Sequence, residues 1–193
     1  MQRSLFLLQM AGTSGVGKST LARLIGQHTG AAVVDYDVVK SAALDAGVAW
    51  DQAGRVGYGA SRAIADSLLH QGMSVILDSP CRFQQIVDEG SNLARMRGAV
   101  YGFIECVLTD EPVLRQRMQT RRRHRSQRRA FDVPPPDAPN DVMANAAGGI
   151  RIPESKVPTT PWIRIDTAQS VEQCLALAIQ YLDDRCRPYS QQM

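Results

Sequence analysis

Apolar positions along this chain fall into two periods. Short continuous runs at Ser4–Met10, Ala31–Asp35, Ser74–Asp78, Gly102–Leu108 and Trp162–Asp166 predict buried strands. Between them the spacing turns helical. Lys18–Gln27 carries Leu21, Leu24 and Ile25 on one face and closes at His28-Thr29-Gly30. Further helices are expected over Val38–Leu44, Gln52–His70, Gln84–Arg97 and Val171–Arg185. One more runs from about Glu111 to Arg123, with Pro112 suited to its first turn. Strands alternating with helices imply a mainly parallel sheet of about five strands, covered on both faces, with its sites at the strand C-termini. The pattern breaks over residues 130–161, where PPP at 134–136, Pro139, Gly148-Gly149, Pro153, Pro158 and Pro161 leave little periodicity. That predicts a long loop with one short helix near Asp141–Ala147, and loops of such length are commonly lids or linkers.

Composition changes this picture little, and charge changes it locally. At 193 residues, 44% hydrophobic and 21% charged, the chain fits one globular domain spanning 1–193. Cys81, Cys106, Cys174 and Cys186 show no metal-ligand spacing, so reduced thiols in a cytoplasmic protein are expected. No run approaches the ~20 apolar residues of a membrane span. Arg3 ahead of Leu5–Leu8 leads straight into a glycine-rich stretch, which favours a first strand over a signal peptide. Net charge is +3, yet residues 115–129 hold eight arginines and no acid, leaving 14 basic against 19 acidic residues elsewhere. A local arginine cluster calls for a local anion.

The stretch GTSGVGKS at 12–19 meets every fixed position of G-x-x-x-x-G-K-[ST], with a strand expected before it and a helix after it. In such a loop the backbone N–H groups of Gly12, Thr13, Ser14, Gly15, Val16 and Gly17 converge on phosphate oxygens. Lys18 reaches the β- and γ-phosphates, Ser19 ligates Mg²⁺, and the helix from Lys18, with Thr20 in its first turn, adds its positive end. Nucleotide binding follows.

Three further groups carry candidate chemistry. The second strand ends in DYDVVK, which places Asp35 and Asp37 beside the loop. Asp37 there could take the proton of an acceptor hydroxyl, or hold Mg²⁺ through water, or one of the pair could simply cap the next helix. Lys40, one helical turn on, could hold an acceptor or stand in solvent. The third strand ends in VILDSP, a Walker-B-like pattern. It nominates Asp78 for the metal shell or the acceptor, and Ser79 and Arg82 for acceptor contacts. In the arginine run, helical spacing puts Arg117 with Arg121 and Arg121 with Arg125 on shared faces. A lid over residues 115–161 would bring at least one of them to the transferring phosphoryl group and exclude water. The same run could grip nucleic acid, or be a solvated basic face, as favoured for Arg128 and Arg129.

In order and spacing, GTSGVGKST, DYDVVK, VILDS, IECVLTDEPVLRQRM with its trailing arginines, and WIRIDT resemble the small P-loop kinases. That group includes the kinase domain of polynucleotide kinase, chloramphenicol phosphotransferase and gluconate kinase. The resemblance implies a three-layer α/β/α sandwich with an arginine-rich lid and the use of ATP and Mg²⁺; no N-K-x-D guanine signature is present. It also implies Asp37 as base, Asp78 after the third strand, Arg117 and Arg121 as lid arginines, and Thr160–Thr167 near the adenine. Polynucleotide kinases carry Arg where this chain has Lys40, a departure that weakens nucleic-acid recognition. The expected activity is phosphorylation of a hydroxylated small molecule such as a sugar, nucleoside or antibiotic. A polynucleotide 5′-hydroxyl kinase and a nucleotide-dependent switch or regulatory ATPase are the alternatives. At 6% aromatic residues, with none interleaving the arginines, a base-stacking platform is not evident.

Overall fold

The computed structural model describes residues 4–128, 130, 133, 135, 138 and 155–186. The expected helix at Asp141–Ala147 and most of the proline-rich stretch lie outside them. The elements are β1 (Phe6–Ala11), α1 (Lys18–Thr29), β2 (Ala32–Asp35), α2 (Tyr36–Asp45), α3 (Trp50–His70), β3 (Val75–Asp78) and α4 (Gln84–Met96). They continue as β4 (Val100–Val107), α5 (Glu111–Thr120), β5 (Ile163–Asp166) and α6 (Val171–Cys186).

The five strands form one parallel sheet in the order β2-β3-β1-β4-β5. Strand β1 lies at its centre and is buried along its whole length, which is why its sequence reads as an unbroken apolar run. Alternate residues leave it on opposite faces. Phe6, Leu8 and Met10 join α1 and α6 through Leu21, Ile25, Ala178 and Leu182. Leu7 and Ala11 join α3 and α4 through Ala65, Leu69, Val87 and Leu93. Two apolar layers on one sheet make the α/β/α sandwich that the sequence predicted. Gln9 is the polar exception on β1. It is buried, donates from Nε2 to Ile86 O at 3.0 Å and accepts the Tyr101 hydroxyl.

Because every strand runs the same way, all five C-termini open on one edge, and the functional loops leave from there. Gly12 makes the first turn with φ 130°, and a Cβ on it would stand 2.3 Å from Cys106 O. Only glycine fits a left-handed position pressed against backbone. Gly12→Ala is therefore expected to cost at least about 2 kcal/mol, read as a lowered urea midpoint. An unchanged midpoint would contradict the packing described.

Helix α5 corrects one expectation. It starts as predicted, with Asp110 Oδ1 accepting from Val113 N and Pro112 in the first turn, but it stops at Thr120 instead of Arg123. Arg121 is extended, at φ −66° and ψ 146°. The chain leaves the helix because its next residues are tied elsewhere. Ser126 is buried on α2, where its N donates to Ser41 Oγ at 3.0 Å, and Arg125 Nη1 donates to Leu44 O at 2.9 Å. Arg121 and Arg125 therefore share no helical face. Arg125 turns to α2 and meets Asp45 at 3.1 Å.

Candidate active site

The loop of residues 12–17 joins β1 to α1, and Gly12, Gly15 and Gly17 all have φ between 89° and 130°. A Cβ on Gly15 would meet Met118 Cγ at 2.7 Å and Leu114 Cδ1 at 2.8 Å, so α5 packs directly on the loop. Val16 points its side chain into the core, and its carbonyl accepts from Thr167 Oγ1 at 2.6 Å. Gly17 precedes α1 without any side-chain cap, so the N–H groups of the first turn stay available to an anion.

Lys18 is buried and its Nζ lies 2.9 Å from Asp78 Oδ1, with the two side chains 10% and 1% exposed. Burial pulls the Lys18 ammonium down. The attraction and hydrogen bond of Asp78, helped by Asp37, outweigh that and leave it above the ordinary lysine value. Asp78 Oδ2 is buried with no hydrogen-bond partner among the described residues. A carboxylate oxygen left in this state suits a metal-bound water or a donor hydroxyl.

A cleft of about 420 Å³ opens over the loop and is lined by Thr13, Ser14, Gly15, Gly17, Lys18, Ser19 and Thr20. Its far wall carries Arg117 and Arg121 from the end of α5 and Thr167 from the end of β5. Thr167 is a tie point. Besides reaching Val16 O, it accepts Arg117 Nη1 at 3.2 Å on Oγ1 and Arg117 Nη2 at 3.0 Å on its carbonyl. Arg121 is half-buried, and burial lowers its pKa against the pull of Asp37. Its Nη2 donates to Arg128 O at 3.2 Å, while Nε is buried with no partner among the described residues. Arg121 lines the cleft, and a guanidinium there suits an anionic ligand. The donor set therefore suits a nucleotide triphosphate, and Ser19 and Asp78 are the residues suited to its Mg²⁺.

A second cavity of about 340 Å³ lies on the α2–α3 side, and Ser14, Lys18, Asp37 and Gln127 belong to both cavities. Asp37 thus stands in the partition. Gln127 Nε2 donates to Asp37 Oδ2 at 2.7 Å, and Ser126 Oγ lies 3.4 Å from Oδ1. Lys40, Trp50, Tyr58 and Arg82 line the second cavity, with Lys40 Nζ 4.6 Å from the Trp50 ring centroid.

The candidate residues thus divide. Asp35 borders the nucleotide cleft, but its Oδ1 caps α2 by accepting from Asp37 N at 2.9 Å and Val38 N at 3.4 Å. Burial, then the charges of Asp78 and Asp37, raise its pKa. Ser79 lines neither large cavity; it is buried with Oγ 3.3 Å from Cys81 Sγ. Gln127 and Ser126 were not legible as site residues, since they belong to no motif and lie 90 and 89 positions from Asp37.

The profile of the AAA domain family matches residues 7–135, about two thirds of the chain, which takes in the whole of this loop, Asp35, Asp37, Asp78 and the arginine run. The chain belongs to that family. No curated protein sequence matches it. Among solved structures, this AAA domain protein is similar to a sugar kinase from a Janibacter species, with a TM-score of 0.62, 20% identity, and 93% of this chain and 95% of that one covered. It is similar to an APS kinase of Mycobacterium tuberculosis solved with AMPPNP and APS, with a TM-score of 0.62, 18% identity, and coverage of 94% and 99%. A gluconokinase from Sinorhizobium meliloti matches with a TM-score of 0.57, 17% identity, and coverage of 96% and 95%. The chain shares with all three the fold of the small P-loop kinases.

Proposed function

We propose that this protein is a cytoplasmic, ATP- and Mg²⁺-dependent kinase that transfers the γ-phosphoryl group to a hydroxyl of a small molecule. The observation that carries the reading is the place of Asp37, whose carboxylate stands in the wall shared by the phosphate-loop cleft and the second cavity. A hydroxyl bound on one side would face the nucleotide on the other, with a proton acceptor between them. The four cysteines are buried thiols, which suits a reducing compartment. Among the described residues no helix is long and apolar enough to cross a membrane.

In this reading the loop amides and Lys18 bind the phosphates, and Ser19 and Asp78 hold the metal. Bound Mg²⁺ supplies charge neutralisation on the phosphate oxygens. Gln127 and Ser126 fix the Asp37 carboxylate so that it can receive the acceptor proton. Arg117 is held by Thr167 at the edge of the cleft. Arg121, which lines the cleft, offers its guanidinium to the charge that develops on the transferred group. Arg121→Ala is expected to slow transfer about 10²–10³-fold while changing the affinity for a fluorescent ATP analogue much less. Equal losses in rate and nucleotide affinity would reassign Arg121 to ground-state binding.

The test is label transfer from γ-³²P-ATP with Mg²⁺ to separate pools of sugars, nucleosides, hydroxylated antibiotics and a 5′-hydroxyl oligonucleotide. Label on a small molecule supports the reading. Label on the oligonucleotide alone makes the protein a polynucleotide kinase. Free phosphate alone, the same with Asp37→Asn, makes it an ATPase.

A further inference from the structure

Aromatic residues make up 6% of this chain, yet four of them line the second cavity. Tyr36 opens α2, Trp50 opens α3, Tyr58 lies two turns further along α3, and Phe83 precedes α4. Their spacing in sequence does not bring them together; the packing of α2 on α3, beside the loop after β3, does. A Cβ on Gly57 would stand 2.9 Å from Tyr36 Cε2 and 3.2 Å from Lys40 Cβ, so the bare glycine lets the two helices close. Tyr36 and Tyr58 then stack at 4.2 Å between centroids, and Lys40 Nζ sits 4.6 Å from the Trp50 centroid. Each contact removes freedom from a ring before any ligand arrives.

Phe83 is the member of this group that folding does not explain. It is 61% exposed, whereas Phe6 and Phe103 in the core are 1% and 0% exposed. It also holds the N-cap position of α4, at φ −119° and ψ 135°, and supplies no side-chain cap. Serine, threonine, aspartate or asparagine would satisfy a free N–H there. A large apolar side chain kept in water, at a position that suits a polar one, breaks two local rules at once. Such breaks without a structural return mark functional positions. The turn that leads to Phe83 is rigid. Cys81 is fully buried and takes φ 45°, an uncommon conformation for any residue but glycine. Its Sγ lies 3.3 Å from Ser79 Oγ and 3.5 Å from Met10 O, and its carbonyl accepts from Lys156 N at 2.9 Å. Phe83 is therefore held at the cavity by an anchored turn.

We infer that the acceptor is a small molecule carrying a planar aromatic ring, that of a nucleobase or of an arene, which lies against Phe83 and Trp50 while its hydroxyl meets Asp37. This rests on the kinase reading for the hydroxyl and on the cavity alone for the ring. A flat π-system gains more on such a wall than a saturated ring of equal size, because offset or edge-to-face contact adds electrostatic attraction to apolar burial. Arg82 lines the same cavity, and a guanidinium plane also stacks on flat rings. The volume of about 340 Å³ lies within the range of sites that take drug-sized molecules.

The experiment is calorimetric titration of protein saturated with Mg·AMPPNP, so that the nucleotide cleft is already filled. Adenosine, guanosine, cytidine and uridine are each set against ribose, and phenyl β-glucoside against cyclohexyl β-glucoside. The two glucosides share every hydroxyl and differ in the flatness of one ring. At least one aromatic probe should bind about tenfold or more tightly than its partner. Preference for nucleosides alone names a nucleobase as the ring, and preference for the phenyl glucoside names an arene; either supports the inference. Phe83→Ala should abolish the preference and Phe83→Tyr should keep most of it, with AMPPNP affinity unchanged in both, because Phe83 does not line the nucleotide cleft. Phe83→Ser should lose the preference too, yet keep or raise the urea midpoint, since serine supplies the missing cap. Equal affinity within every pair, no binding by any aromatic probe, a preference indifferent to Phe83, or a midpoint that falls together with the preference overturns the inference. Label transfer to the same probes is scored separately. Phe83-dependent binding without transfer keeps the ring site and rejects the kinase, whereas transfer to ribose or cyclohexyl glucoside without Phe83 dependence does the reverse.

Discussion

Asp37→Asn should lower phosphoryl transfer by about 10²–10⁴-fold while leaving nucleotide affinity within about twofold. The substitution preserves shape and most contacts. The new side chain can still place its carbonyl oxygen toward Gln127 Nε2, which now donates at 2.7 Å, and its amide toward Ser126 Oγ. What it loses is the ability to accept a proton. A residue standing in the partition between the two cavities should therefore affect kcat far more than nucleotide binding. The measurement pairs steady-state transfer with titration of a fluorescent ATP analogue, on protein whose melting temperature has been checked. Unaltered kcat would remove Asp37 from the chemistry and leave it as a structural partner of the 126–127 turn.

Lys18→Ala carries the largest expected effect on stability. Asp78 is 1% exposed and Lys18 answers its charge, so removing the ammonium strands a carboxylate in the core. Loss of one partner of a buried ion pair costs about 3–5 kcal/mol. The double variant Lys18→Ala with Asp78→Asn removes both charges and should recover a large part of that loss, an outcome that urea denaturation of the four proteins can read as a coupling energy. Additive losses would mean that the two charges do not stabilise each other. Nucleotide affinity should behave differently. It should fall in both Lys18→Ala proteins by about ten- to a hundredfold, because the charge-assisted bond to phosphate is missing in each. Stability restored without affinity would separate the structural part of Lys18 from its role toward phosphate.

The parts of this protein that could be read from its sequence are those whose causes are local. β3, VILD, is three apolar residues ending in Asp78 and is buried on both faces, and such a strand must be nearly continuous in hydrophobicity. The phosphate loop is legible for a similar reason, since its glycines, lysine and serine all fall within eight positions, 12–19, and each has its own geometric duty. Asp35, Asp37 and Asp78 were legible because a parallel sheet brings every strand end to one edge. Even there the assignment of duties was not. Which aspartate caps α2 depends on φ and ψ at residues 35–38, and it is Asp35.

Beyond that reach lie the contacts between segments distant in sequence. Nothing in RRRHRSQRR distinguishes Arg121, which lines the cleft, from Arg125, which turns to Leu44 and Asp45. Helical spacing treated them alike. The buried Ser41–Ser126 pair, 85 positions apart, ends the helix early and sends the two arginines different ways. Likewise the order β2-β3-β1-β4-β5 seats α2 and α3 beside the loop after β3, and only then do Lys40, Trp50 and Arg82 enclose one space. The sequence by itself determined the elements, the sandwich and the phosphate loop, because hydrophobic period and glycine sterics act over a few residues. Tertiary structure alone decided the second cavity, its lining and the hold on Asp37. Those arise where side chains far apart in sequence compete for the same buried volume and the same hydrogen-bond partners.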